Sequence, residues 1–163
     1  MKRTVLFGFF LAVTGAAVAV VSPHRASAQD HCRDVHARVA DAITSEGCAS
    51  PVGLCTAGTV TGSGLGGALS ATVMNIAPGA TPGTSSLDAF DQIATDHGTL
   101  FLHFTGVFDP IHGAVTFVGE ATSGTGRFEG ATGRLYVNGG AAADGGFESD
   151  LTGQLCFPAG ADD

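Results

Sequence analysis

The chain has 163 residues, 44% of them hydrophobic, and seven Lys and Arg face fifteen Asp and Glu for a formal net charge of −8. A chain this acidic offers no electrostatic footprint for nucleic acid or for an anionic membrane surface. Its length suits about one domain with one modest core.

The first segment reads as a processing signal. Met1-Lys2-Arg3 is a positive n-region, Thr4 to Val21 an uncharged apolar run, and Ala26-Ser27-Ala28 a small-residue cleavage box. An apolar run of that length could instead anchor the chain in a membrane, but the cleavage box directly after it favours export. Residues 1–28 are therefore expected to be a signal peptide and 29–163 a single secreted or envelope-located domain, without membrane association after cleavage. Cleavage removes Lys2, Arg3 and Arg25, which leaves four basic residues, none of them lysine. Schiff-base chemistry on a lysine is thereby excluded.

Cys32, Cys48, Cys55 and Cys156 all lie in the exported part, and an even count in an oxidising compartment reads as two disulfides with three possible pairings. Cys32–Cys48 with Cys55–Cys156 is the favoured pairing, the second bridge tying the first main strand to the last. The Cys48–Cys55 spacing does not fit a zinc site, and no paired histidine spacing supports another metal, so no metal is expected.

Residues 32–44 fit two periods. Val35, Val39 and Ile43 suit a helix face, whereas Val35, Ala37 and Val39 alternate with Asp34, His36 and Arg38 as in a strand. The uniform β texture that follows tips the reading towards strand. Further strands are expected at 56–62, 67–76, 87–95, 99–108, 114–122, 133–138 and 146–157, separated by Gly, Pro and Asp turn signals. Asp96-His97-Gly98 reads as a hairpin turn, and Pro78 to Ser86 as the one long, flexible loop. In the last strand Phe147, Ser149, Leu151, Gly153, Leu155 and Phe157 share one face. Short strands at this spacing suggest a barrel or a sandwich, and their many glycines favour a small closed antiparallel all-β barrel.

Gly62-Ser63-Gly64-Leu65-Gly66-Gly67 satisfies G-x-G-x-x-G, but a strand follows it where a dinucleotide site needs a helix, so no cofactor is expected. The glycines of Ser123 to Asn138 surround Phe128, and they read as a bend that closes the barrel with Phe128 as its plug. Gly124-Thr125-Gly126-Arg127-Phe128 followed by Ala131-Thr132-Gly133 and a strand resembles the allene oxide cyclase and dirigent-type barrels, over about residues 113–157. Ser123 stands where those families carry a further glycine. Cys48 to Gly58 also looks like the opening of exported bacterial relatives of that barrel. The resemblance implies about eight antiparallel strands, frequent homo-oligomers (trimers) and a cavity that guides ring closure or radical coupling in enzyme members. It carries over no catalytic residue.

Four residues are site candidates. His103 lies mid-strand beside Phe101 and Thr105, where a partly enclosed imidazole could move protons, although a hydrogen-bonded structural role is the commoner one. Glu120 lies among apolar neighbours, and desolvation there would raise its pKa. Arg134 and Tyr136 share a face opposite Leu135 and Val137. The ordinary reading makes that polar face the solvent side; were it the interior, Glu120, Tyr136, His103 and Arg134 would line one cavity. Asp88 and Asp91, three apart on a strand, face opposite sides. The functional expectation is an exported barrel binding a small apolar ligand, as a cofactor-independent cyclase or isomerase if it is catalytic. The alternative is a non-catalytic structural or envelope scaffold.

Overall fold

The alternation read in residues 32–44 resolves as a strand. The computed structural model describes residues 31–158, so the expected signal peptide and cleavage box lie outside the described residues. Val35, Ala37 and Val39 are buried in strand β1, His31–Thr44, while the residues between them are exposed. That pattern has the two-residue period of a sheet with one wet face.

Seven more strands follow: β2 (Cys55–Thr61), β3 (Gly67–Pro78), β4 (Ser85–Thr95), β5 (Gly98–Asp109), β6 (Ala114–Gly124), β7 (Thr132–Ala141) and β8 (Phe147–Phe157). Each pairs antiparallel with its neighbour in sequence, and β8 returns to pair with β1, giving a closed eight-stranded barrel. Closure leaves no sheet edge to recruit another chain. Register shifts at Val73/Asn75 in β3 and opposite Phe101/Leu102 in β6 add local bends of the kind small barrels use to curve.

The long loop expected at Pro78–Ser86 is shorter than its composition suggests. Ala77 pairs with Ser86 and Pro78 with Ser85, so the strands run into it. What remains is tied by Gly79 N–H to Thr84 O and Thr84 Oγ1 to Thr81 O.

The two ends of the barrel differ. At the end where β1, β3, β5 and β7 begin, a single 3-10 turn, Gly126–Phe128, folds under the strands and seats Phe128 with no exposed surface, packed with Leu65, Leu100, Leu135 and Leu155. The glycine-rich stretch is what lets this plug in. Gly126 has φ 59°, and a Cβ there would stand 2.2 Å from the carbonyl oxygen of His97, so only glycine fits between the turn and the β4–β5 hairpin. The opposite end is ringed by the loops 45–54, 79–84, 110–113 and 142–146, and its interior is not filled.

The disulfides correct the expected pairing. Cys32 bonds Cys156 and Cys48 bonds Cys55. Cys32 and Cys156 are register partners on β1 and β8, which a bridge from Cys55 could not match. The outer-end loop is clipped by its own short bridge, inside which the Ser50 hydroxyl donates to Val73 O and accepts from Leu54 N–H.

Loop-closure entropy makes the two bridges unequal, since their cysteines stand 124 and 7 residues apart in sequence. Replacing Cys32 and Cys156 by Ser should cost about 5 kcal/mol of unfolding free energy, against about 2 kcal/mol for Cys48 and Cys55, measured by denaturant titration under non-reducing conditions. Phe128→Ala should cost about 3–5 kcal/mol in the same assay, because the plug is fully enclosed and the space it leaves cannot collapse.

Candidate functional site

Inside the open half of the barrel lies a cavity of about 220 Å³. Its floor is set by Val60, Ile93, Leu102 and Leu151, which stand between it and the Phe128 layer. Leu54, Phe108, Val115 and Phe147 line its upper part, and Ile43 stands 63% exposed at the mouth. The wall is apolar except at Asp41, Thr56, Asp91 and Ser149.

Strand phase puts the carboxyls there. Asp41 continues the inward series Val35, Ala37, Val39 of β1, and Asp91 falls between Ala89 and Ile93 on the inward face of β4. The wall between them is built from small side chains. Asp91 pairs with Ala71 on β3, Ala71 with Thr56 on β2, and Asp41 with Gly58. A Cβ on Gly58 would lie 2.6 Å from the Cβ of Asp41, so glycine lets β2 pass behind that carboxylate.

The two acids differ in solvation. Asp91 is flanked in register by Ala71 and Leu102, whose side chains have no hydrogen-bond donor. It lines the cavity, and its Oδ1 is buried with no hydrogen-bond partner. Burial pushes the Asp91 carboxyl up to about 7, and the negative charge of Asp41 adds to the rise. Burial also raises Asp41, but the Thr56 hydroxyl donates to it and opposes the shift. Burial thus disfavours ionisation of both carboxyls, and most strongly of Asp91, in a chamber whose remaining wall is apolar.

The candidates read from sequence stand elsewhere. His103, Glu120, Arg134 and Tyr136 all project from the outer wall, as the ordinary reading of that polar face has it, and none of them lines the cavity. His103 Nε2 lies 2.8 Å from Asp88 Oδ2 and its ring stacks on Phe90 with centroids 4.8 Å apart. Arg134 pairs with Glu120 across β6 and β7, both side chains more than half exposed. Exposed pairs of this kind contribute little to stability and nothing to a chamber they do not face. Asp88 and Asp91 face opposite sides as their spacing requires, Asp91 being the inward one. Asp41 carries no motif; its one signal is that it falls in phase with the apolar residues of its strand.

Among the described residues no group of three or more His, Cys, Asp or Glu is placed to hold a metal ion, and no helix is long and apolar enough to cross a membrane. Comparison with protein-family models, with curated proteins and with solved structures finds no match to this chain.

A carboxyl raised by folding lowers stability as pH rises. Below about pH 4 both folded and unfolded chains hold the Asp91 proton; between there and about pH 7 only the folded chain does, so each pH unit favours unfolding until the folded group also ionises. The expected loss is about 4 kcal/mol in total, spread over that window. Asp91→Asn should remove it. Denaturant unfolding at pH 4 and pH 8 should show the variant gaining on the wild type by about that amount at the higher pH.

Proposed function

We propose that the chain is an exported small β-barrel, of the allene oxide cyclase and dirigent type, whose cavity binds a small apolar ligand and rearranges it by proton transfer without a cofactor. The observation that carries this reading is the Asp91 carboxyl, held near neutrality with an unpartnered oxygen inside an apolar cavity and next to Asp41. Structural carboxyls are paired or hydrogen-bonded when buried; one left without a partner in a chamber suits a group awaiting a ligand. In an isomerisation or ring closure, Asp91 gives its proton to one ligand atom and Asp41 takes a proton from another. The ligand keeps its composition, and the acids end with their roles exchanged. The apolar walls supply orientation and exclude water. The two disulfides suit an oxidising, extracytoplasmic setting.

The same disulfide-pinned seam also suits a scaffold with no chemistry, and the cavity separates the two readings. An apolar probe such as toluene should bind one to one and shift the methyl resonances of Val39, Val73 and Leu102. Ala89→Phe, which places a ring in the cavity, should weaken that binding at least tenfold. A ligand retained from an extract of the source should then differ between wild type and Asp91→Asn, product in the first and a precursor of equal mass in the second. Failure of any apolar probe to enter would leave the scaffold.

A further inference from the structure

We infer that the ligand of this cavity is a small apolar amine, held as its ammonium ion between Asp41 and Asp91. The inference rests on the reading of the cavity as a ligand site and adds the ligand's chemical class.

The chamber is one-sided in its chemistry. Its polar groups are two carboxyls and the hydroxyls of Thr56 and Ser149, and none of the described residues lining it is Lys, Arg or His. Once Asp91 is ionised both carboxyls only accept hydrogen bonds, so each then needs donors. Thr56 supplies one to Asp41. Asp91 Oδ1 has none. The groups facing Asp91 from the strands beside it, Leu69, Ala71 and Val73 on β3 and Leu102 and Phe104 on β5, neither titrate nor donate, and Asp41 is the one titratable neighbour across the chamber.

An ammonium group answers this arrangement where other head groups do not. It brings three donors and a positive charge, and in an apolar chamber an ion pair so enclosed is far stronger than at a surface. A hydroxyl brings one donor and leaves the charge of the pair unbalanced; a carboxylate is repelled. The rest of the guest must be apolar, since the remaining wall is. The cavity of about 220 Å³ exceeds the ~150 Å³ that takes a benzene molecule, which leaves room for one ring and a short aminoalkyl arm. The formal net charge of −8 favours approach of cations over anions to the protein as a whole.

Capture of the ammonium ion requires Asp91 to ionise, so binding below neutrality releases one proton to solvent. Affinity for the amine should therefore rise about tenfold for each pH unit up to about pH 7 and level off above it. The test uses the folded chain with both disulfides formed, and four probes of nearly one shape: benzylamine, benzyl alcohol, toluene and benzoate. Titrations followed by calorimetry and methyl NMR should rank benzylamine at least tenfold tighter than the alcohol and toluene at pH 8, with benzoate weakest. In Asp91→Asn the preference for amine over alcohol should fall to within about threefold and its pH dependence should flatten; Asp41→Asn should also reduce the preference. Equal affinity for amine, alcohol and toluene overturns the assignment while leaving the apolar-ligand reading intact. An amine preference untouched by both substitutions overturns it too. Binding of none of the four by the folded chain removes both readings.

Discussion

The pairing of the first strand with the last holds this molecule together. Seven of the eight strand contacts join neighbours in sequence and form by local hairpins, whereas β1 and β8 must meet across the whole chain. That closure carries the largest loop entropy in the fold. Eleven register pairs, from His31 with Phe157 to Asp41 with Phe147, offset it, and the Cys32–Cys156 bridge lies one residue from its start. The functional end depends on the same seam. Asp41 sits at its last pair, so the register that closes the barrel also sets where that carboxylate enters the chamber.

Period-two alternation made most of the strands legible from sequence, β8 most clearly, because one apolar and one wet face is a strong physical signal. The closed barrel followed from strand spacing and glycine content, and Phe128 is the plug its glycine-rich surroundings suggest. The cysteine pairing was not legible. It depends on which residues come opposite each other across a seam that joins distant parts of the chain, and no local pattern records that. The expectation of two disulfides holds, but neither expected pairing does: Cys156 bonds Cys32 on β1 rather than Cys55 on β2, and Cys48 bonds Cys55.

The site was only half legible, for a reason that lies in β4. Leu87, Ala89 and Ile93 mark one face of that strand and Phe90 the other, so apolar residues on both sides obscure which of Asp88 and Asp91 turns inward. The structure resolves it: Phe90 is an outer-wall residue covering His103, and Asp91 follows Ala89 into the cavity. On β1 the phase is clean, but a carboxylate in phase with valines looks like a strand end rather than a site until the barrel shows that the strand continues. Glu120, Arg134, His103 and Tyr136 carry chemistry in short apolar stretches of sequence, but Arg134 pairs with Glu120 and His103 with Asp88 on the outer wall, and none of the four lines the chamber.

The plug at Phe128 makes this barrel a cup and not a pipe. A molecule that enters must turn round and depart past the same rim, so nothing can be threaded through or handed from one end to the other. Whatever occupies the cup is met head first at its base and tail last at its mouth. Variation in the four rim loops can therefore alter admission and escape together, while the sealed base that sets depth stays as it is.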